Sequence, residues 1–267
     1  SALIQRGYIT EKAEQEEYDY VAYMADILFR RDMLLKKGFT FVITYDCNFR
    51  CPYCQNSDLL LDPASYAAYT KQDILSYLQK RKNILTGVCI TGGEPTIYHD
   101  LPDFLAEVKQ LGYLVKLDSN GSNPFMLQTL YEQKLIDYVA MDIKSGPSDY
   151  LKVAGLTDPT DHSTSYAFSD EMLSRIRESV HFLMHETDER RFTYEFRTTV
   201  VRELHSAETF REIGDWIKGA KRYFLQSYKE SEQVLCPGFS AYSRMELEKF
   251  IEILKPNIPS VALRGVD

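Results

Sequence analysis

Tyr45-Asp46-Cys47-Asn48-Phe49-Arg50-Cys51-Pro52-Tyr53-Cys54 places three of the chain's five cysteines within eight positions, in the spacing C-x-x-x-C-x-x-C. Three thiolates so close on one loop can hold three corners of an iron–sulfur cubane. Nothing nearby supplies a fourth cysteine, which leaves one iron open for chemistry. A closed four-ligand centre would suit electron transfer or structure alone. A structural zinc site asks for four protein ligands, commonly as paired C-x-x-C units or with histidines at set spacing. Here Cys89 or one of the five histidines would have to complete it from far away. A disulfide framework suits chains too small to bury a core, unlike these 267 residues. Asn48, Arg50 and Pro52 mark the stretch as a loop rather than a buried strand.

On the amino-terminal side, Phe39–Thr44 is rich in β-branched and aromatic residues and reads as a strand that delivers the cysteine loop at its carboxyl end. Barrel enzymes place their active sites at such ends. Residues 10–37 run from Glu11, Glu14, Glu16 and Glu17 to Arg30, Arg31, Lys36 and Lys37, with apolar residues at helical spacing. Acid first and base last suits a helix dipole, and a helical extension over residues 1–37 is expected ahead of the main domain, 38–267.

On the other side, strands and helices alternate. Gly87–Thr91 reads as a short buried strand ending in Gly92-Gly93-Glu94-Pro95, where glycines allow close backbone approach and Glu94 offers a carboxylate. A third strand over 113–117 leads into Asp118-Ser119-Asn120-Gly121-Ser122, and a fourth over 138–141 into Asp142-Ile143-Lys144. Two acids thus end adjacent strands. Residues 148–169 read as a long loop containing His162, and 192–201 as the fifth strand, carrying Arg197. A sixth is expected over 221–228. Asp100, Asn123, Ser206 and Ser243 open helices, the last with Glu246 in a capping box. Cys89 reads as a core thiol, and Cys236, in a Cys-Pro-Gly turn, has no evident metal partner. Six alternations point to a parallel sheet with every motif at the strand carboxyl ends.

The composition sets bounds. Hydrophobic residues make up 44% and aromatics 13%, enough for a substantial core. A formal charge of −8 argues against a generic nucleic-acid surface, which needs a basic stripe. No apolar run approaches the ~20 residues that span a bilayer. With no secretory leader visible, the cytoplasm is the expected compartment.

The cysteine spacing, with aromatic Tyr53 just before the last cysteine, resembles the radical SAM superfamily, and the later motifs follow in that family's order. The resemblance implies a (β/α)6 partial TIM barrel, a [4Fe-4S] cluster on Cys47, Cys51 and Cys54, and S-adenosylmethionine (SAM) chelating the open iron. Electron transfer from the cluster would break the sulfonium and yield a 5′-deoxyadenosyl radical. Gly92, Gly93 and Glu94 would hold the SAM amino group and Arg197 its carboxylate or ribose. Asp118-Ser119-Asn120-Gly121 with Asp142-Ile143-Lys144 resembles the D-T-N-G and D-hydrophobic-K motifs of glycyl-radical activating enzymes, with Ser119 keeping the threonine's hydroxyl. Asp118, Ser119 and Asp142 would then hold a monovalent cation against the SAM carboxylate, with Lys144 beside them. Over roughly residues 40–266 the nearest resemblance is to activating proteins of anaerobic ribonucleoside-triphosphate reductase. These take an electron from a flavodoxin- or ferredoxin-type donor and abstract hydrogen from a partner's glycine. Residues 1–37 look more like the lead-in helices of radical SAM enzymes that modify ribosomal peptides. A non-catalytic electron-transfer or sensing protein would account for the cysteine loop but leave Glu94, Asp118 and Asp142 unexplained.

Overall fold

The structure is a computed structural model that describes residues 38–62, 69–157, 166–188, 190–231 and 233–266. The expected extension over 1–37 and His162 lie outside these residues. Among the described residues, seven strands form one sheet in chain order: β1 (Gly38–Thr44), β2 (Leu85–Gly92), β3 (Leu114–Ser119), β4 (Tyr138–Asp142), β5 (Thr193–Val200), β6 (Tyr223–Ser227) and β7 (Val261–Arg264). Every neighbouring pair is parallel. β1 and β7 are the two edges, so the sheet is an open α/β partial barrel.

Six strands were expected. The seventh is the closing segment, whose four residues are too short to show periodicity. It is held by side chains as well as by its ladder: Arg264 donates to both carboxylate oxygens of Glu195 on β5, at 2.5 and 2.8 Å, beneath the Tyr138 hydroxyl that shares Glu195.

Between the strands run α1 (Ser57–Leu61), α2 (Lys71–Lys80), α3 (Leu101–Gln110), α4 (Pro124–Glu132), α5 (Tyr150–Val153), α6 (Tyr166–His185), α7 (Ala207–Trp216) and α8 (Arg244–Leu254). The expected loop over 148–169 therefore contains one short helix and the start of a long one. Three caps form as read: Asn123 accepts from Met126 N at 3.1 Å, Ser206 pairs with Thr209, and Ser243 pairs with Glu246. Each contributes ~1 kcal/mol. Asp100 holds the cap position of α3 but its side chain makes no capping hydrogen bond.

Successive strand residues face opposite sides. On β3, Val115 and Leu117 enter the apolar core while Lys116 and Asp118 pair with each other on the other face. β5 repeats the pattern, with Tyr194 and Phe196 in the core and Glu195 and Arg197 opposite. Closed barrels commonly fill their interior with branched apolar residues. Here the inner face of β3–β5 is charged, and each charge is matched.

Candidate functional site

The loops at the carboxyl ends of β1 to β5 meet at one rim. Asp46, at φ 55, turns the chain out of β1 into the cysteine loop; aspartate tolerates that left-handed conformation better than most residues. Phe49 is buried beneath the loop, and Tyr98 donates its hydroxyl to the Tyr45 carbonyl at 2.7 Å.

Two glycines let neighbouring backbone clamp the loop. A Cβ on Gly93 would stand 1.7 Å from the Asp46 carbonyl oxygen, and one on Gly155, which has φ +66, would stand 1.9 Å from that of Arg50. Main-chain bonds accompany both approaches: Glu94 N donates to Asp46 O at 2.9 Å, and Arg50 N to Ala154 O at 3.0 Å. A third clamp comes from the segment after β6, where Leu235 N donates to Cys54 O and Cys236 N to Pro52 O. Cys236 itself is exposed and Cys89 is buried in the barrel.

The loop after β3 zips onto the cysteine loop through amides. Asn120 Nδ2 donates to Asn48 Oδ1 at 2.9 Å and lies 3.8 Å from Cys47 Sγ, while Asn48 Nδ2 donates to Ser122 Oγ at 2.8 Å. Phe49 N also points at Cys47 Sγ, at 3.4 Å. Backbone and amide donors aimed at a cysteine sulfur suit a thiolate rather than a thiol.

Among the described residues no three or more His, Cys, Asp or Glu side chains are gathered closely enough to read as a formed metal site. Without metal, burial and nearby Glu94 push the Cys47 thiol up to about 12, and burial pushes Cys51 up to about 11. Iron must therefore displace protons from these sulfurs, and loading favours higher pH. Three cysteines on one clamped loop, with donors directed at one sulfur, fit an iron–sulfur cluster held at three corners.

Glu94 is buried and accepts from Thr96 N at 3.1 Å, Thr96 Oγ1 at 2.5 Å, Ser119 Oγ at 2.9 Å and Asn120 N at 2.6 Å. It ties the β2 and β3 loops together; burial raises its pKa, and these donors oppose the rise. The backbone of Gly92 and Gly93 is half-buried where this carboxylate is fully buried, and Asn56 Nδ2 donates to Gly92 O at 3.2 Å.

Arg197 lies between the two acids. Its Nε pairs with Asp142 Oδ1 and its Nη2 is 3.4 Å from Asp118 Oδ2. Asp142 Oδ2 also receives Lys144 Nζ at 2.8 Å, and Asp118 receives Thr91 Oγ1 at 2.9 Å and Lys116 Nζ. Burial alone would raise Asp142, but Arg197 and Lys144 outweigh it and hold the carboxyl well below the usual range. Burial likewise opposes charge on Lys144, which Asp142 and Cys51 hold well above its ordinary value.

The residues expected to hold a monovalent cation do not fit one. Ser119 Oγ donates to Glu94, and all four oxygens of Asp118 and Asp142 face Lys116, Arg197, Lys144 or Thr91.

The fit to SAM is better. Arg197 Nη1 and Tyr53 Oη are buried without a hydrogen-bond partner. Leaving such a donor unmet costs ~1–3 kcal/mol, which a carboxylate or ribose oxygen at the rim would recover.

Lys116, Asn48, Ser122 and His205 are site residues to which the sequence alone gave no site role. Lys116 left a signal, a charge inside an otherwise apolar strand. Buried His205 left none: its Nε2 meets Lys144 O at 2.8 Å and its ring stands edge-on to Tyr53, contacts that only the closed barrel creates.

A parallel partial barrel with its cysteine loop, acids and arginine all on the carboxyl rim defines an enzyme that works on a cofactor held at its mouth. Residues 41–197 match the model of the radical SAM superfamily, and the chain belongs to that superfamily. It is 26% identical over 235 residues to MJ1227 of Methanocaldococcus jannaschii, a provisionally named glycyl-radical enzyme activating enzyme, covering 87% of this chain and 91% of that one. A second relative from that organism, MJ1632, carries the same provisional name and is 31% identical over 106 residues, 39% of this chain and 38% of its own. Among solved structures, Streptococcus suis SuiB bound to S-adenosylmethionine superposes with a TM-score of 0.63 at 16% identity, over 98% of this chain and 59% of SuiB. That likeness shows the fold. Among the described residues no helix is long and apolar enough to cross a membrane.

Proposed function

We propose that the chain activates a glycyl-radical enzyme, of the anaerobic ribonucleotide reductase type, by abstracting hydrogen from a glycine of that partner. The observation that carries this reading is the similarity to MJ1227 along nearly the whole of both chains. The paired motifs at Asp118 and Asp142 agree with it.

When bound, a [4Fe-4S] cluster and SAM supply a one-electron cleavage that yields a 5′-deoxyadenosyl radical. The chain's own residues bind and orient. Cys47, Cys51 and Cys54 hold the cluster, and Asn120 and the Phe49 amide support the Cys47 sulfur. Arg197 offers Nη1 to the SAM carboxylate or ribose, and Asp118 and Asp142 fix the guanidinium plane. The Gly92–Gly93 backbone receives the amino group, with Glu94 holding that turn against Ser119 and Asn120. Lys144 stands between Asp142 and the cysteine loop, and Tyr53 lines the pocket beside it. A flavodoxin- or ferredoxin-type protein delivers the electron.

The test is hydrogen transfer. Partner protein carrying deuterated glycine, incubated anaerobically with cluster-loaded chain, reductant and SAM, should give 5′-deoxyadenosine containing one deuterium and a glycyl radical signal. Deuterium arriving instead from a short ribosomal peptide would replace this reading with peptide modification.

A further inference from the structure

A lysine ammonium is rarely fully buried, because desolvating it costs several kcal/mol unless a fixed anion faces it. Lys116 is 2% exposed. Its Nζ pairs with Asp118 Oδ1, lies 3.9 Å from Cys89 Sγ, and stands 6.0 Å over the Tyr138 ring. It is strand-borne, two residues before Asp118, so β3 itself fixes the pair.

Among the described residues, Lys116, Arg197 and Lys144 face the two carboxylates of Asp118 and Asp142. Every oxygen of the two carboxylates already meets one of these fixed cations or the Thr91 hydroxyl before any ion arrives. A mobile cation would find there no carboxylate oxygen free to ligate it. An incoming carboxylate would instead meet the unpaired Arg197 Nη1.

We propose that Lys116 is a built-in counter-ion that does the work of a bound monovalent cation, so that the chain binds SAM without potassium or sodium. The ammonium neutralises Asp118, which frees Arg197 to serve an incoming carboxylate. Lys116 is thus a positioning residue that acts through Asp118 and Arg197. The SAM half of the proposal rests on the radical SAM reading; the cation half does not.

The experiment compares the cluster-loaded chain with a Lys116→Ala variant, whose shorter side chain opens a space against Asp118. SAM affinity is measured by equilibrium dialysis in potassium, sodium or choline chloride at equal ionic strength, and sodium binding to SAM-free protein by sodium-23 relaxation. The wild-type chain should bind SAM equally in all three salts, within about twofold, and show no saturable sodium site. In choline the variant should bind SAM roughly tenfold or more weakly, a typical coupling between sites. Potassium or sodium should restore the affinity saturably, with a sodium site appearing in relaxation.

A wild-type dependence on either ion, or a saturable sodium site in the wild-type barrel, overturns the proposal. So does a variant that binds SAM normally in choline. If the variant does not fold, the wild-type salt comparison and relaxation decide alone, by the same criteria. Failure of loaded wild-type chain to bind SAM in any salt would remove the radical SAM reading; sodium relaxation on SAM-free protein would still decide for or against a protein-borne cation.

Discussion

The side-chain amide of Asn120, at the end of β3, lies 3.8 Å from the sulfur of Cys47, on the loop after β1, and holds Asn48 of the same loop at 2.9 Å. One residue thus links the cluster loop to the strand that carries Asp118. Outer-shell partners of metal ligands typically cost ~10–100-fold in metal affinity or activity when removed. Asn120→Ala should lower SAM cleavage by about that factor. The reduction midpoint of the cluster should fall, since a donor to sulfur stabilises the more negative, reduced state. Iron per chain and spectroelectrochemical titration check the two effects separately.

The cysteines divide by position. Cys47→Ala, Cys51→Ala and Cys54→Ala should each abolish cluster assembly, read as iron and sulfide content after anaerobic reconstitution. Exposed Cys236 and buried Cys89 stand outside the three-cysteine loop, and their alanine variants should keep iron near wild-type levels. A requirement for Cys236 would mean a different ligand set.

Gly155 is the tightest test of how the loop is held. With φ +66 and the Arg50 carbonyl 1.9 Å from the site of a Cβ, alanine has neither the backbone conformation nor the room. Gly155→Ala should destabilise the chain by ~1–3 kcal/mol and loosen the turn against Cys51. Thermal melting should show the loss, and iron loading should fall with it. Gly112, with φ +89 and open space around it, should show only the conformational cost when changed to alanine.

Burial lowers the pKa of His205 below its ordinary 6.5. Val201 N donates to Nδ1 at 3.0 Å and Nε2 meets Lys144 O, an arrangement that suits the neutral ring. The unfolded chain therefore takes up a proton near pH 6.5, which the folded chain resists until lower pH. The associated stability is complete above that value and is lost as pH falls. Melting temperature should drop between about pH 7 and pH 5, and less steeply in His205→Gln.

Much of the fold was legible because each strand carries its own signal. Phe39–Thr44 and the apolar run Val88–Ile90 are local patterns, and both form strands with boundaries moved by one or two residues. The cysteine spacing is equally local. Interior electrostatics are not. Lys116 sits 27 residues from Cys89 in sequence, and Arg197 55 residues from Asp142, so their pairing exists only once parallel strands align. The same holds for Gly93 and Gly155. Sequence reading gave the first a ligand, and packing adds that it, like Gly155, lets neighbouring backbone close on the cysteine loop. The seventh strand was hidden by brevity; its anchor is Arg264 on Glu195, a contact spanning 69 residues.

The central claim is that three thiolates hold a cluster whose remaining iron accepts SAM. The direct measurement is electron paramagnetic resonance of the dithionite-reduced, fully loaded protein before and after SAM, with product analysis on the same samples. A signal that shifts on SAM addition, together with equimolar 5′-deoxyadenosine and methionine, is the predicted result. An unchanged signal and intact SAM at full cluster occupancy would contradict it.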